Sequence, residues 1–166
     1  LNNGEVICFD NLINTAPFNA FLKLTNNEEY NKLSDRLTYN KVLVFNLGFN
    51  KKSKYDKEHW IYFPDKSINF YRVGFYDNIL SSDKLSMYIE IGYSKDTIID
   101  DTKIQEELNK TLEGLRRVGI IDETFDLVAY ESIIMNPAYV HIDTENDKQV
   151  RKIMNDLSNQ GVYSIG

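Results

Sequence analysis

Cysteine is nearly missing: Cys8 is the only one in 166 residues. A disulfide framework and a cysteine-built zinc site are therefore excluded, and a reducing compartment, the cytoplasm, is the expectation. Only two histidines occur, His59 and His141, far apart and in no metal-ligand spacing, so no metal site is expected. Surplus positive charge is absent, with 19 basic against 25 acidic residues and a net charge of −6. Phosphate-driven nucleic-acid binding needs the opposite balance. No apolar run approaches the roughly 18–20 residues of a membrane span. The eight glycines are scattered, without a G-x-G-x-x-G or P-loop pattern, and no G-x-S-x-G elbow occurs. Cys8 sits in a strand-like stretch and reads as a buried small apolar residue rather than a nucleophile. No catalytic residue can be named.

Aromatic and apolar residues, by contrast, are plentiful. Eleven tyrosines, nine phenylalanines and one tryptophan, in a chain that is 42% apolar, exclude disorder. The length suits one domain over 1–166. Asn3-Gly4 predicts a tight turn leading into a strand at Glu5–Phe9, followed by a second at Asn11–Asn14. Pro17 opens a short helix, and Thr25 with Glu28 predicts the cap of another. Strands are predicted at 42–48, 60–63, 70–76, 85–93 and 127–135, with turns at Pro64-Asp65-Lys66 and Asp77-Asn78 and a stop at Asn136-Pro137. Helices are predicted from Thr102 to Val118, with a Thr102/Gln105 capping box, and from a Thr144 cap to Gly161. Val162 to Gly166 starts a further extended segment. The expected class is α+β: a mainly antiparallel sheet of about six strands, with about four helices packed against it.

One segment stands out, His59-Trp60-Ile61-Tyr62-Phe63-Pro64 through Phe70-Tyr71-Arg72-Val73-Gly74-Phe75-Tyr76, where seven aromatics flank one of only five arginines. Period-two alternation puts Trp60 and Tyr62 on one face of their strand, and Phe70, Arg72 and Gly74 on one face of the next. If the two sets share a face, a guanidinium sits beside an aromatic platform, able to stack a ring and grip a phosphate. The competing reading is a cation–π or salt-bridge contact within an aromatic sheet.

Trp60-x-Tyr62-Phe63-Pro64 followed by Phe70-Tyr71-Arg72 resembles the W-x-Y-F-P … F-Y-R signature of eukaryotic-type UDP-galactopyranose mutases and bacterial lipopolysaccharide-related flavoproteins. These belong to the flavin amine oxidase and protoporphyrinogen oxidase superfamily. Weaker likenesses fall in the same order along the chain: Asn2-Asn3-Gly4 to Pro17, Val42 to Gly48, Leu115 to Ile120, Asn136-Pro137-Ala138-Tyr139, and Val162 to Gly166. The chain opens at Leu1 without a methionine, and the resemblance implies the substrate-side portion of a longer FAD-dependent protein. Residues 1–17 would then be the exit from a flavin-binding domain that is missing here.

The resemblance carries four site residues. Arg72 matches the arginine that contacts the diphosphate of a UDP-sugar, and Tyr139 a tyrosine that reaches the same group. Trp60 and Tyr62 match aromatics lining the sugar-nucleotide pocket. Where the family has a further phosphate-binding tyrosine this chain has Ile79, with Tyr76 nearby, so the donor need not be UDP-galactose. The implied activity is an isomerisation of a nucleotide-sugar on a flavin, without net oxidation, in cell-surface polysaccharide (lipopolysaccharide) biosynthesis, while this portion alone is expected to be inactive. An amine oxidase or protoporphyrinogen oxidase type of reaction is the alternative, as is a standalone module binding carbohydrate or protein. The expected partners are a UDP-sugar and, over the surface left by the missing flavin domain, a second copy of the chain.

Overall fold

The computed structural model describes residues 3–141 and 143–165. In chain order its elements are β1 (Leu12–Asn14), α1 (Phe18–Leu24), α2 (Glu28–Arg36), β2 (Tyr39–Phe49), β3 (Trp60–Tyr62), β4 (Arg72–Phe75), α3 (Tyr76–Leu80), β5 (Ser86–Ser94), α4 (Asp101–Arg117), β6 (Leu127–Val140), α5 (Thr144–Ser158) and β7 (Val162–Ser164). The class is α+β, as expected, with seven strands and five helices among the described residues. The chain falls into two compact units, Leu1–Tyr39 with Val140–Gly166, and Asn40–Tyr139.

In the first unit β1 and β7 pair in parallel, Leu12 opposite Val162 and Asn14 opposite Ser164. Helices α1, α2 and α5 bury Leu22, Tyr30, Leu33, Ile153 and Leu157 against one another. The Asn3-Gly4 turn is present, with Gly4 at φ +81°. Glu5–Phe9, however, lies outside any strand, and Val6, Ile7 and Phe9 are exposed. Cys8 is exposed with them, which corrects its reading as a buried residue. Leu1, Asn2 and Gly166, at the ends of two expected segments, lie outside the described residues.

Three caps differ from the sequence reading. Asn27, not Thr25, caps α2 by accepting from the Glu29 and Tyr30 N–H groups. Thr25 instead ends α1, its hydroxyl donating to the Leu22 carbonyl at 2.7 Å. Asp100 caps α4, accepting from Lys103 N–H at 2.8 Å. Asp143 caps α5 through Glu145 and Asn146. In each case a carboxylate or amide one to two residues from the chosen threonine reaches the open N–H groups.

The second unit is a five-stranded sheet in the order β3-β4-β5-β2-β6. Its strands alternate between two faces. Leu43, Phe45 and Leu47 of β2, Val73 and Phe75 of β4, and Met87, Ile89 and Ile91 of β5 point to the face that α4 covers with Leu108 and Leu115, forming the main core. The other face carries the partners Tyr62, Arg72, Glu90 and Val44 in one row across four strands, and Trp60, Gly74, Tyr88 and Asn46 in the next.

Two sequence boundaries move. Asp77-Asn78 is not a turn between strands but part of α3: Asp77 is fully buried, and the Asn78 amide donates to the Tyr55 and Glu58 carbonyls at 3.0 and 2.7 Å. Nor does Asn136-Pro137 end a strand. That peptide bond is cis, and β6 continues through it to Val140. Asp126 pairs with Asn50 at one end of β6, and Tyr139 N–H donates to Asn40 at the other, so β6 runs antiparallel to β2.

Candidate functional site

Arg72 is the centre of the polar sheet face. Its strand partner on one side is Tyr62 and on the other Glu90. Directly opposed residues bring their Cβ atoms to about 5 Å, so all three side chains meet above the sheet. The Arg72 Nη1 donates to the Tyr62 hydroxyl at 3.1 Å, and Nη2 donates to the Tyr139 hydroxyl, also at 3.1 Å. Nη2 also forms an ion pair with Glu90 Oε1. The guanidinium lies 5.7 Å from the Tyr62 ring centre and 5.9 Å from that of Tyr88, within cation–π range of both.

Of the four side chains named from the sequence, the structure joins Arg72, Tyr62 and Tyr139 by hydrogen bonds and sets Trp60 on the same face, one row along. Tyr139 reaches the group only because β6 runs on past Pro137. Trp60, Tyr62 and Tyr139 are each at least half exposed, at 57%, 57% and 50%. Arg72 is mostly covered and Glu90 is buried.

Three further residues complete the site and escaped the sequence reading. Glu90 accepts from Arg72 and from the Tyr71 hydroxyl. Tyr88 lies flat across Gly74, where a Cβ would come within 2.0 Å of its ring. Tyr71 precedes β4 and turns its ring over Gly92, at 3.7 Å from where a Cβ would stand. The signal for Tyr88 and Glu90 lay in their alternation with Met87, Ile89 and Ile91; what was missing was the strand register that sets them opposite Gly74 and Arg72. Tyr76 packs on Tyr88 with ring centres 5.3 Å apart and donates to Asn46 at 3.2 Å. Ile79 is exposed on α3.

The electrostatics follow from this packing. Hydrogen bonding to Glu90 drives the Arg72 guanidinium further above its already high range, so it is a permanent cation. Burial, reinforced by the Glu90 carboxylate, pushes the Tyr71 phenol up, so that it stays a neutral donor. Burial also raises Tyr88, opposed by the charge of Arg72. Tyr62 and Tyr139 both accept from Arg72, so their own hydroxyl protons are left to point away from it. The face therefore presents the Tyr62 phenolic O–H, a guanidinium edge and an exposed indole, with the Tyr139 hydroxyl also hydrogen-bonded to that of Tyr71, a set suited to an anionic oxygen joined to a ring.

Among the described residues nothing forms a dinucleotide site around these groups. The described glycines stand in strands (Gly48, Gly74, Gly92), inside α4 (Gly114), or at turns and helix ends (Gly4, Gly119, Gly161), and none of the five helices among the described residues follows a glycine-rich loop. The described residues do not by themselves make up a FAD site. Among the described residues no cluster of histidine, cysteine and acidic side chains could hold a metal ion, and no helix is long and apolar enough to cross a membrane.

No protein-family model and no curated protein sequence matches the chain. Its fold does match solved structures. Reduced UDP-galactopyranose mutase superposes with a TM-score of 0.84 over 97% of this chain and 36% of that one, at 20% identity. A protein assigned as a protoporphyrinogen oxidase from Exiguobacterium sp. 255-15 gives 0.68 over 93% and 35%, at 11% identity. An oxidoreductase from Methanosarcina mazei gives 0.62 over 98% and 38%, at 12% identity. The chain has the fold shared by part of a mutase and two oxidoreductases, and spans roughly a third of the length of each.

Proposed function

We propose that this chain is the substrate-binding portion of a FAD-dependent, UDP-galactopyranose mutase-like enzyme of the cytoplasm. It acts on a nucleotide-sugar used in cell-surface polysaccharide, including lipopolysaccharide, biosynthesis. One observation carries the reading: Arg72, Tyr62 and Tyr139 converge on a single exposed patch beside Trp60. The matching mutase is described in a reduced state, which agrees with a redox cofactor supplied by chain outside this portion. FAD, when bound there, would supply the chemistry at the sugar. This chain's residues would bind and orient: the Arg72 edge and the Tyr62 and Tyr139 hydroxyls hold the diphosphate, and Trp60 carries a ring and sheds water from it. The portion alone is expected to bind without turning over substrate.

A second reading, an oxidase-type substrate without phosphate, is favoured by one feature: Glu90 already neutralises Arg72. Trp60 is the chain's only tryptophan, so its fluorescence reports on the site. Titration with UDP and a UDP-hexose should shift its emission saturably. Tyr62→Phe and Tyr139→Phe, which remove one hydroxyl each at exposed positions, should weaken binding by about 3–10-fold apiece. Unchanged emission and no heat of binding at millimolar UDP would reject the nucleotide-sugar reading in favour of the second.

A further inference from the structure

We infer, resting on the reading of this face as a diphosphate site, that Glu90 is its specificity-determining counter-charge. By occupying one edge of Arg72 it makes the site reject free anions and accept phosphate esters that also bring a ring to Trp60. The donor count supports this. A guanidinium has five N–H groups. The two on Nη2 go to Glu90 and Tyr139, one on Nη1 goes to Tyr62, and Nε is buried without a partner. A single Nη1 hydrogen remains for a ligand, so the two-point fork that makes arginine a strong phosphate binder is closed.

Charge works in the same direction. The Arg72–Glu90 pair is neutral as a unit, and its carboxylate is buried, where repulsion of an incoming anion is poorly screened. The Tyr71 hydroxyl donates to the second oxygen of Glu90, so the carboxylate is held from both sides and does not readily swing away. Pyrophosphate finds little net attraction here. A nucleoside diphosphate finds the same weak grip plus the exposed Trp60 indole, and the ring contact decides between them.

The test compares inorganic pyrophosphate with UDP on the wild-type chain, Glu90→Gln and Glu90→Asp, by calorimetry at several NaCl concentrations. Glu90→Gln keeps the shape and removes the charge. Pyrophosphate should then bind at least about tenfold tighter, from the loss of one unit of repulsion at close range, and its affinity should fall more steeply with salt. Glu90→Asp keeps the charge and should leave pyrophosphate as weak as in the wild type. A Gln variant with wild-type pyrophosphate affinity and salt dependence overturns the inference.

Failure of the underlying reading looks different: the wild type binds no UDP, yet the gain of pyrophosphate binding in Glu90→Gln still supports the role of Glu90. No binding of either anion by any of the three proteins overturns both. If circular dichroism finds Glu90→Gln unfolded, the wild type decides alone. A loss of UDP affinity below about fivefold from 50 to 500 mM NaCl marks a neutral site and supports the inference; a larger loss overturns it.

Discussion

At the scale of single residues, the site depends on a side chain that is missing. Gly74 leaves room for the Tyr88 ring to lie across β4 under the Arg72 guanidinium, and a Cβ there would stand 2.0 Å from it. Gly74→Ala must therefore push the ring aside, at an expected loss of about 1–3 kcal/mol in urea unfolding together with weaker UDP binding. Gly92→Ala faces Tyr71 only at 3.7 Å and should fall within about 0.5 kcal/mol of wild type. Equal behaviour of the two variants would show that Tyr88 is not seated as described. The sequence made half of this arrangement legible. Trp60, Tyr62, Arg72 and Gly74 could be assigned to faces because alternation is a property of each strand alone; Phe70, set on the Arg72 face by the same count, lies before β4 begins and is buried in the core against α4 instead. Glu90, Tyr88 and Tyr71 could not be added, because pairing register comes from the turns and the core between strands, which no local pattern encodes.

At the scale of elements, α4 shows what sequence periodicity reaches. Its apolar stripe, with Leu108 and Leu115 inward, was legible, but its start at Asp101 was not, since several neighbouring polar residues could supply a cap. Also illegible was Glu107, a buried carboxylate on the covered side of the helix. Burial alone would raise it, but hydrogen bonds from Asn69, Lys103 and Lys110 outweigh that and hold its carboxyl below the ordinary value. A depressed folded value means the ionised form stabilises the fold. That contribution is complete above about pH 5, shrinks as the pH falls below the ordinary glutamate value, and is gone once the pH has passed through the folded one. Glu107→Gln should therefore cost about 1–3 kcal/mol at pH 7 and flatten the stability profile between about pH 5 and 3. An unaltered pH profile from chemical denaturation in that range would mean that Glu107 contributes nothing through its charge.

At the scale of the whole molecule, the α+β class followed from strand and helix patterns, whereas the pairing of both chain ends in β1 and β7 had no compositional mark. The run-through of β6 past Pro137 was hidden for a local reason: a proline usually ends pairing, yet β6 continues beyond it to Val140 and so carries Tyr139 to the site. That long strand has a consequence. β6 is the edge of the five-stranded sheet, with Val128, Tyr130, Ile134 and Met135 exposed and Glu131 as its one charged residue. Natural edges are blunted by lysines, prolines, bulges or a covering element, and before Pro137 β6 has little of the kind within its own length. The isolated chain is expected to self-associate through this edge, so that sedimentation velocity between about 10 and 100 μM, a range that favours weak association, shows species heavier than 19.4 kDa. Ile134→Lys, which adds a charge on the edge without touching Arg72, should return the chain to a monomer and leave UDP binding intact. A wild-type chain that sediments as a monomer throughout that range would show that the β6 edge needs no cover.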